Sequence, residues 1–171
     1  MVTAILLIVF GMLCTVAFAS WSMAPWVPAW KKDLPRIFRL AQLQPQQLFY
    51  DLGCGDGRTV FYASDRCQAK AIGIELALPL YVWCRLRQLW HHSSSAYFKY
   101  GNLFRHSFSD ADVVYVFGMP DKLAQKLAQK LKNELRSGAR VISYTFPIAG
   151  LDPVYIDKPT PRDIAIYLYQ F

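Results

Sequence analysis

The stretch YDLGCGDGR, residues 50–58, constrains the fold of this chain more than any other part of its 171-residue sequence. It contains three glycines and two aspartates, and it lies between the apolar run QLFYDL and the run RTVFYASDRC, which suits a helix. Parallel α/β sheets bind nucleotide-like ligands at a glycine-rich turn between a buried strand and a helix. We therefore predict such a sheet, with a ligand at the carboxyl end of its first strand.

The rest of the chain alternates between strand-like and helix-like segments. Near-continuous apolar runs predict further strands at AKAIGIEL, AYFKYGN, DVVYVFG and ARVISYTF, with helices over 78–92 and 121–136 between them. The final runs, DPVYIDK and IAIYLYQF, are too close together for a crossover helix, so they must pair antiparallel. The predicted fold is α/β, a doubly wound seven-stranded sheet that ends in a C-terminal antiparallel hairpin.

The first 30 residues contain no charged residue and no histidine, whereas all 19 basic and 12 acidic residues follow them. The apolar run from Val2 to Ala19 is long enough to span a bilayer, which takes roughly 17–25 residues. We predict a transmembrane anchor over 1–20, a juxtamembrane linker and helix over 21–44, and one globular domain over 45–171. A cleaved secretory signal and a buried helix are the alternatives for the predicted anchor.

The charges around the predicted anchor indicate its orientation. No basic residue precedes the apolar run, whereas Lys31, Lys32, Arg36 and Arg39 follow it. Positive charge marks the cytoplasmic side of a membrane helix, and tryptophans such as Trp30 favour the membrane boundary. We therefore predict a single-pass membrane protein with its globular domain on the cytoplasmic side, or on the matrix side if the membrane is organellar.

Two ligand classes compete for the glycine turn: a dinucleotide, and a nucleoside cofactor without phosphates. The dinucleotide pattern G-x-G-x-x-G needs a third glycine at the position that Arg58 occupies. Asp51 and Asp56 would also repel phosphate groups. The two carboxylates instead suit a cationic ligand, and S-adenosylmethionine carries both an ammonium and a sulfonium group. The sequence therefore favours S-adenosylmethionine as the cofactor.

Three strand ends supply the predicted cofactor site. The glycines allow close approach of the main chain to the methionine part, and an acid at the end of the first strand can hold its ammonium. Glu75 ends the second strand, where a carboxylate can accept both ribose hydroxyls. Asn102 follows the third strand, where its amide oxygen can accept a hydrogen bond from adenine. The predicted cofactor-binding residues are Asp51, Gly53, Gly55, Asp56, Gly57, Glu75, Asn102 and Leu103.

The spacing D-x-G-x-G-x-G over 51–57 resembles the first motif of the Rossmann-like methyltransferases. The segments PWVP, IELALPLYVWCRLRQLW, VVYVFGMP and ARVISYTFP are similar to the small membrane-anchored lysine methyltransferases that act on the adenine nucleotide translocase and on the ATP synthase c subunit. This resemblance covers roughly residues 25–155. It implies a Rossmann-like fold and a membrane-tethered protein-lysine N-methyltransferase whose substrate is a membrane protein. The family usually carries an acid at the position of Asn102.

The end of the fourth strand is where the methyl acceptor is expected. The substrate-side candidates are Phe117, Gly118, Met119 and Pro120, with Phe146 and Pro147 as a wall. No residue stands out as a catalytic base. Two alternatives stay open: a methyltransferase for a lipid, quinone or other small hydrophobic acceptor, and a non-catalytic cofactor-binding module. No metal is predicted, since the cysteines and histidines lack zinc-type spacing. Nucleic acid is not a predicted partner either.

Overall fold

The computed structural model describes residues 2–22, 27–91, 95–118 and 121–171, without the side chains at 5, 8–9, 18–22 and 121–123. Its helices are α1 (Val2–Ser22), α2 (Leu34–Ala41), α3 (Arg58–Cys67), α4 (Leu78–Trp90) and α5 (Asp121–Glu134). Its strands are β1 (Leu48–Leu52), β2 (Lys70–Glu75), β3 (Ala96–Tyr100), β4 (Val113–Phe117), β5 (Arg140–Tyr144), β6 (Tyr155–Asp157) and β7 (Ile166–Gln170). Short 3-10 helices cover Lys31–Asp33 and Leu103–Arg105.

The strands form one seven-stranded sheet in the order β3-β2-β1-β4-β5-β7-β6. Strands β1 to β5 are parallel to one another, whereas β7 runs antiparallel to both β5 and β6. The doubly wound sheet and the C-terminal hairpin predicted from the sequence are thereby confirmed. The strand order reverses between β1 and β4, and ligands of such sheets bind at the carboxyl ends of the strands on either side of that reversal.

Apolar side chains cover both faces of the sheet. Ile37 and Phe38 of α2, Val60 of α3 and Cys84 of α4 belong to a core cluster on one face. Leu127 and other residues of α5 belong to a second cluster on the other face. A regular doubly wound fold has an α-helix between β3 and β4. Here the chain forms only the short 3-10 helix at 103–105 between these strands.

Helix α2 is connected to strands β5 and β6 through hydrogen bonds and ion pairs of Asp33 and Arg36. Asp33 is only 3% exposed and accepts hydrogen bonds from the Tyr144 hydroxyl at 2.7 Å and from Arg36 at 3.0 Å. The Arg36 guanidinium also pairs with Asp157 of β6 at 2.8 Å. The helix predicted within 21–44 therefore packs into the core beside β5, although the domain division itself stays a prediction.

The predicted transmembrane anchor over 1–20 coincides with helix α1. Within the described ranges, no helix is long and apolar enough to cross a membrane, so the structure does not support the predicted span. Met1, residues 23–26 and several α1 side chains lie outside those ranges.

Candidate active site

Three glycines form the turn between β1 and α3. Gly53, Gly55 and Gly57 have φ angles of 90°, 56° and 75°, a region that side chains with a Cβ disfavour. The amides of Gly53 and Cys54 donate to the Ile74 carbonyl of β2 at 2.9 and 3.0 Å. These hydrogen bonds attach the turn to β2. Because the glycines have no side chains, a ligand at the carboxyl edge of the sheet can approach the main chain of the turn.

Gly57 is required for packing as well as for its φ angle. A Cβ at this position would lie 2.9 Å from a ring carbon of Phe98 and 3.0 Å from the sulfur of Cys84. Both neighbours are buried, so neither can move without disturbing the core. The last glycine of the turn therefore lets α3 start directly against β3 and α4.

Asp51 lines a cleft beside the glycine turn. Its side chain is buried, and the Thr59 hydroxyl donates to one carboxylate oxygen. The other oxygen, Oδ1, has no hydrogen-bond partner among the residues that the structure describes. Burial raises the pKa of Asp51 to about 7, and the nearby charges of Glu75 and Asp56 add to this rise against the effect of Thr59.

Tyr115 lines the same cleft from the neighbouring strand. It is the register partner of Asp51 in the parallel pairing of β1 with β4, and it is 2% exposed. Its hydroxyl also lacks a partner within the described part of the chain. Burial raises its pKa well above the ordinary range, and the charge of Asp51 contributes to the shift. A buried donor and a buried acceptor, neither with a partner among the described residues, therefore lie on neighbouring strands in one cleft.

Glu75 supports the turn from the end of β2. One carboxylate oxygen accepts from the Gly55 amide at 2.7 Å, and the other accepts from the amides of Leu76 and Ala77 at 3.0 and 2.8 Å. Burial raises the pKa of Glu75, and these amides oppose the rise because they stabilise the charged form. Both lone pairs of Oε1 are used by the Leu76 and Ala77 amides, whereas Oε2 keeps one lone pair for a further donor such as a ribose hydroxyl.

Asp56 differs from its predicted role as a free charge for a cationic ligand. Arg58, two residues on, pairs with its carboxylate at 2.6 Å and donates to both of its oxygens. The same guanidinium donates to the Ala29 carbonyl at 2.6 Å. Asp56 therefore holds Arg58 against the N-terminal segment, and the charge available to a cation is that of Asp51.

These side chains fit S-adenosylmethionine. The free oxygen of Asp51 suits an ammonium group, the free hydroxyl of Tyr115 suits a carboxylate, and the glycines leave room for the chain between them. Glu75 stands where the ribose would lie. Within the described ranges, no group of three or more metal-ligating side chains occurs.

A family model for the ANTKMT methyltransferase domain matches residues 51–155, which include the glycine turn, Glu75 and the ends of β3, β4 and β5. The chain belongs to this family. The Rossmann-like methyltransferase family suggested by the spacing of the glycines is thereby confirmed.

The methyltransferase also resembles curated relatives along most of its length. It is 32% identical over 154 residues to a protein-lysine N-methyltransferase of Saccharolobus islandicus, covering 85% of this chain and 92% of the relative. It is 34% identical over 131 residues to the lysine N-methyltransferase of the ATP synthase c subunit from Rattus norvegicus, covering 75% of this chain. The chain spans only 59% of the length of the rat protein.

Solved structures agree with this membership. An RNA methyltransferase from Salinibacter ruber in complex with S-adenosyl-L-homocysteine superposes with a TM-score of 0.78 at 28% identity, over 84% of this chain and 93% of that one. A methyltransferase from Geobacter sulfurreducens, also with S-adenosyl-L-homocysteine, has a TM-score of 0.58 at 19% identity, over 78% of this chain and 52% of that one, and shows the fold alone. The protein is an S-adenosylmethionine-dependent methyltransferase.

The predicted adenine contacts of the methyltransferase are already engaged within the protein. The Asn102 amide oxygen accepts from the Phe104 amide at 2.9 Å and caps the 3-10 helix that follows β3. Leu103 is fully buried in the second core cluster. Both residues lie beyond the end of β3 as predicted, but their roles toward adenine stay predictions.

Two cavities lie at the end of β4. Phe117 lines the cofactor cleft, whereas Gly118, with φ 54°, lines a second cavity together with Phe146 and Pro147. The Phe146 ring lies 3.8 Å from the position that a Cβ of Gly118 would take. The predicted acceptor side is therefore next to the cofactor cleft, while the candidates Met119 and Pro120 lie outside the described residues.

Several cleft residues were missed by the sequence analysis. Val27, Pro28 and Ala29 line the cleft, and the first two belong to the PWVP segment that carried the family resemblance without a role. Thr59 and Tyr115 were not predicted either. The sequence did contain a signal for Tyr115, because a tyrosine within the aliphatic run VVYVF puts a polar atom in a buried strand.

Proposed function

We propose that the protein is a protein-lysine N-methyltransferase that acts on a lysine of a membrane protein. The near full-length likeness to the Saccharolobus lysine methyltransferase carries this proposal, because it covers 85% of this chain and 92% of that relative. The lysine methyltransferases among the mammalian relatives act, by their names, on a subunit of ATP synthase. The membrane-protein substrate is proposed by analogy with them.

Asp51 and Tyr115 are proposed to bind the amino-acid end of the cofactor. Bound S-adenosylmethionine supplies a methyl group on a positively charged sulfur, which is already activated for transfer. The carboxylate of Asp51 accepts from the ammonium group, and the hydroxyl of Tyr115 donates to the carboxylate group. The Thr59 hydroxyl keeps Asp51 in the orientation that this contact needs.

The acceptor lysine is proposed to enter between Phe117 and Phe146. A lysine must lose its proton before it can accept a methyl group, and an apolar surrounding lowers the pKa of an amine. The aromatic ring of Phe146, which is 54% exposed, and the Phe117 ring give this entrance an apolar wall. Alignment of an uncharged amine with the methyl group is then the main contribution of the protein to the rate.

Attachment to a membrane through α1 is proposed on the character of its exposed side chains. Leu6, Leu7, Phe10 and Leu13 are each at least 60% exposed, and no charged residue occurs in the helix. Basic residues follow the helix from Lys31 onward, which favours the cytoplasmic side for the catalytic domain. Attachment would bring the cleft to lysines close to the bilayer surface.

Transfer of a tritiated methyl group from S-adenosylmethionine into membranes from cells that lack the protein tests the proposed acceptor. Wild type is compared with Glu75→Gln, which loses the anionic acceptor of the turn, and with Glu134→Gln as a control far along α5. We expect label in a protein band with wild type and with the control. Acid hydrolysis of that band should yield methyl-lysine.

Other destinations of the label would contradict the proposal. Label in the organic extract would assign a lipid or quinone acceptor, and label in extracted RNA would assign the acceptor class named for the Salinibacter structure. Binding of S-adenosylhomocysteine without transfer to any fraction would favour a non-catalytic binding module.

A further inference from the structure

Helix α4 carries its apolar side chains on the side that faces away from the protein. Its exposed fractions are 37% for Val82, 48% for Trp83, 45% for Leu86, 65% for Leu89 and 69% for Trp90. Monomeric soluble proteins rarely leave several large apolar side chains together in water. We call these five residues the α4 apolar face.

The α4 apolar face is one continuous stripe. At about 100° per residue its members fall within an arc of about 120° on the helical wheel. The opposite side of the helix makes the contacts with the domain. There Cys84 is fully buried and donates to the Gly55 carbonyl at 3.2 Å, and Gln88 donates to the Ala96 carbonyl at 2.6 Å. The apolar face is therefore not explained by packing within the domain.

We propose that the α4 apolar face lies on a lipid bilayer that carries acidic headgroups. Tryptophans such as Trp83 and Trp90 favour the boundary between headgroups and acyl chains, and leucines between them can enter the hydrocarbon. Arg85 is exposed at the margin of the stripe, and the chain has a formal net charge of +7. Basic residues near an acidic membrane surface strengthen binding to it.

Contact between α4 and α1 favours lipid over a protein partner. The Leu78 amide at the start of α4 donates to the Thr15 hydroxyl of α1 at 3.2 Å. Thr15 and Met12 are half-buried, whereas Leu6, Phe10 and Leu13 on the outer part of α1 are exposed. Apolar surface therefore continues from one helix to the other across their contact. A bilayer covers both at once, and this inference in part rests on the proposed membrane attachment of α1.

This placement would set the height of the active site above the membrane. Helix α4 begins three residues after Glu75, and Arg87 of α4 donates to the Asp56 carbonyl in the glycine turn at 2.7 Å. The helix that contacts lipid thus also contacts the turn that holds the cofactor. A domain resting on α4 keeps its cleft beside the bilayer, where a tether through α1 alone would leave it free to rotate.

Spin labels on the full-length protein test the proposal. A label at Leu89→Cys reports the α4 apolar face, and a label at Lys158→Cys, in the exposed segment between β6 and β7, is the matched control. Cys14→Ala and Cys67→Ala remove the other accessible thiols, since Cys54 and Cys84 are buried. The protein is mixed with vesicles of roughly three parts phosphatidylcholine to one part phosphatidylserine, because acidic lipid is part of the proposal.

We expect the label at residue 89 to gain collisions with oxygen, which dissolves in lipid, and to lose collisions with a water-soluble nickel chelate. The label at residue 158 should keep its contact with the chelate. Equal chelate contact at both positions would overturn the proposal, as would failure of the protein to bind the vesicles. Spin–spin broadening at residue 89 would also overturn it and assign the face to a second copy of the chain. Because no step reads methyl transfer, failure of the proposed lysine activity would leave these outcomes unaffected.

Discussion

Asp51 on β1 and Tyr115 on β4 are register partners, and each has a buried oxygen atom without a hydrogen-bond partner in the described part of the chain. Buried polar atoms are nearly always paired in folded proteins, because an unpaired one costs about 1–3 kcal/mol. Two such atoms side by side in one cleft indicate a ligand that supplies both partners. The amino-acid end of S-adenosylmethionine has the ammonium and the carboxylate that they need.

Removal of the Tyr115 hydroxyl should weaken the binding of the amino-acid end alone. For Tyr115→Phe we expect the Kd for S-adenosylhomocysteine to rise about tenfold, as loss of a hydrogen bond to a charged group implies. The Kd for 5′-methylthioadenosine, which lacks the amino-acid end, should stay unchanged. Isothermal titration calorimetry with both ligands measures the difference.

Tyr155→Phe is the matched control for this comparison, since Tyr155 is 56% exposed on β6 at the far edge of the sheet. An equal loss of affinity for the two ligands in Tyr115→Phe would contradict the assignment, because it would point to a general disturbance of the cleft.

Cofactor affinity should depend on pH through Asp51. Its pKa of about 7 in the free protein is raised from the ordinary value, so near neutral pH a proton competes with the ammonium for the carboxylate. Ligand binding requires the charged form, and affinity is therefore fully present above the raised pKa and lost as pH falls through it. Below pH 7 we expect the Kd for S-adenosylhomocysteine to rise up to about tenfold per pH unit.

Asp51→Asn should bind more weakly but with little dependence on pH between about 6 and 8, since no proton is exchanged at this site. A pH slope that survives in Asp51→Asn would assign the titration to another group. Calorimetric titrations at several pH values decide between the two results.

Gly57→Ala should destabilise the protein more than Gly138→Ala. Both glycines have positive φ angles, 75° and 86°, so backbone strain of about 1–2 kcal/mol applies to each variant. Only at Gly57 would the new Cβ meet Phe98 and Cys84, and such overpacking adds about 1–3 kcal/mol. Urea unfolding of the two variants measures the difference in the free energy of unfolding. Equal decreases would contradict the prediction, because they would show that Phe98 and Cys84 move aside for the new Cβ.

Arg36→Gln should lower the free energy of unfolding by about 3 kcal/mol, because it leaves the buried carboxylate of Asp33 without its cation. Arg39→Gln changes an exposed arginine of the same helix and should cost less than about 0.5 kcal/mol. Urea titration followed by circular dichroism measures both. A loss below about 1 kcal/mol in Arg36→Gln would mean that the Tyr144 hydroxyl alone suffices for Asp33.

The sequence alone was enough to predict the sheet and the glycine turn at the carboxyl end of its first strand. Alternation of apolar runs with helical segments, and the short gap before the last strand, left one arrangement of β6 and β7. The glycine turn was recognisable because positive φ angles restrict the choice of residue locally, within a few positions of the chain. Local geometry and strand periodicity are properties that a sequence displays directly.

Only the tertiary structure decided which of the predicted groups are free to bind. Asp51 and Asp56 look alike in the sequence, yet Arg58 pairs with Asp56, while one oxygen of Asp51 has no partner among the described residues. The exposure of the α4 apolar face could not be predicted from the sequence either. An apolar stripe on a helix usually packs against the core, and only the structure shows that this one does not. Pairing and burial depend on residues that are distant in the chain, and the register of β1 with β4 brings them together.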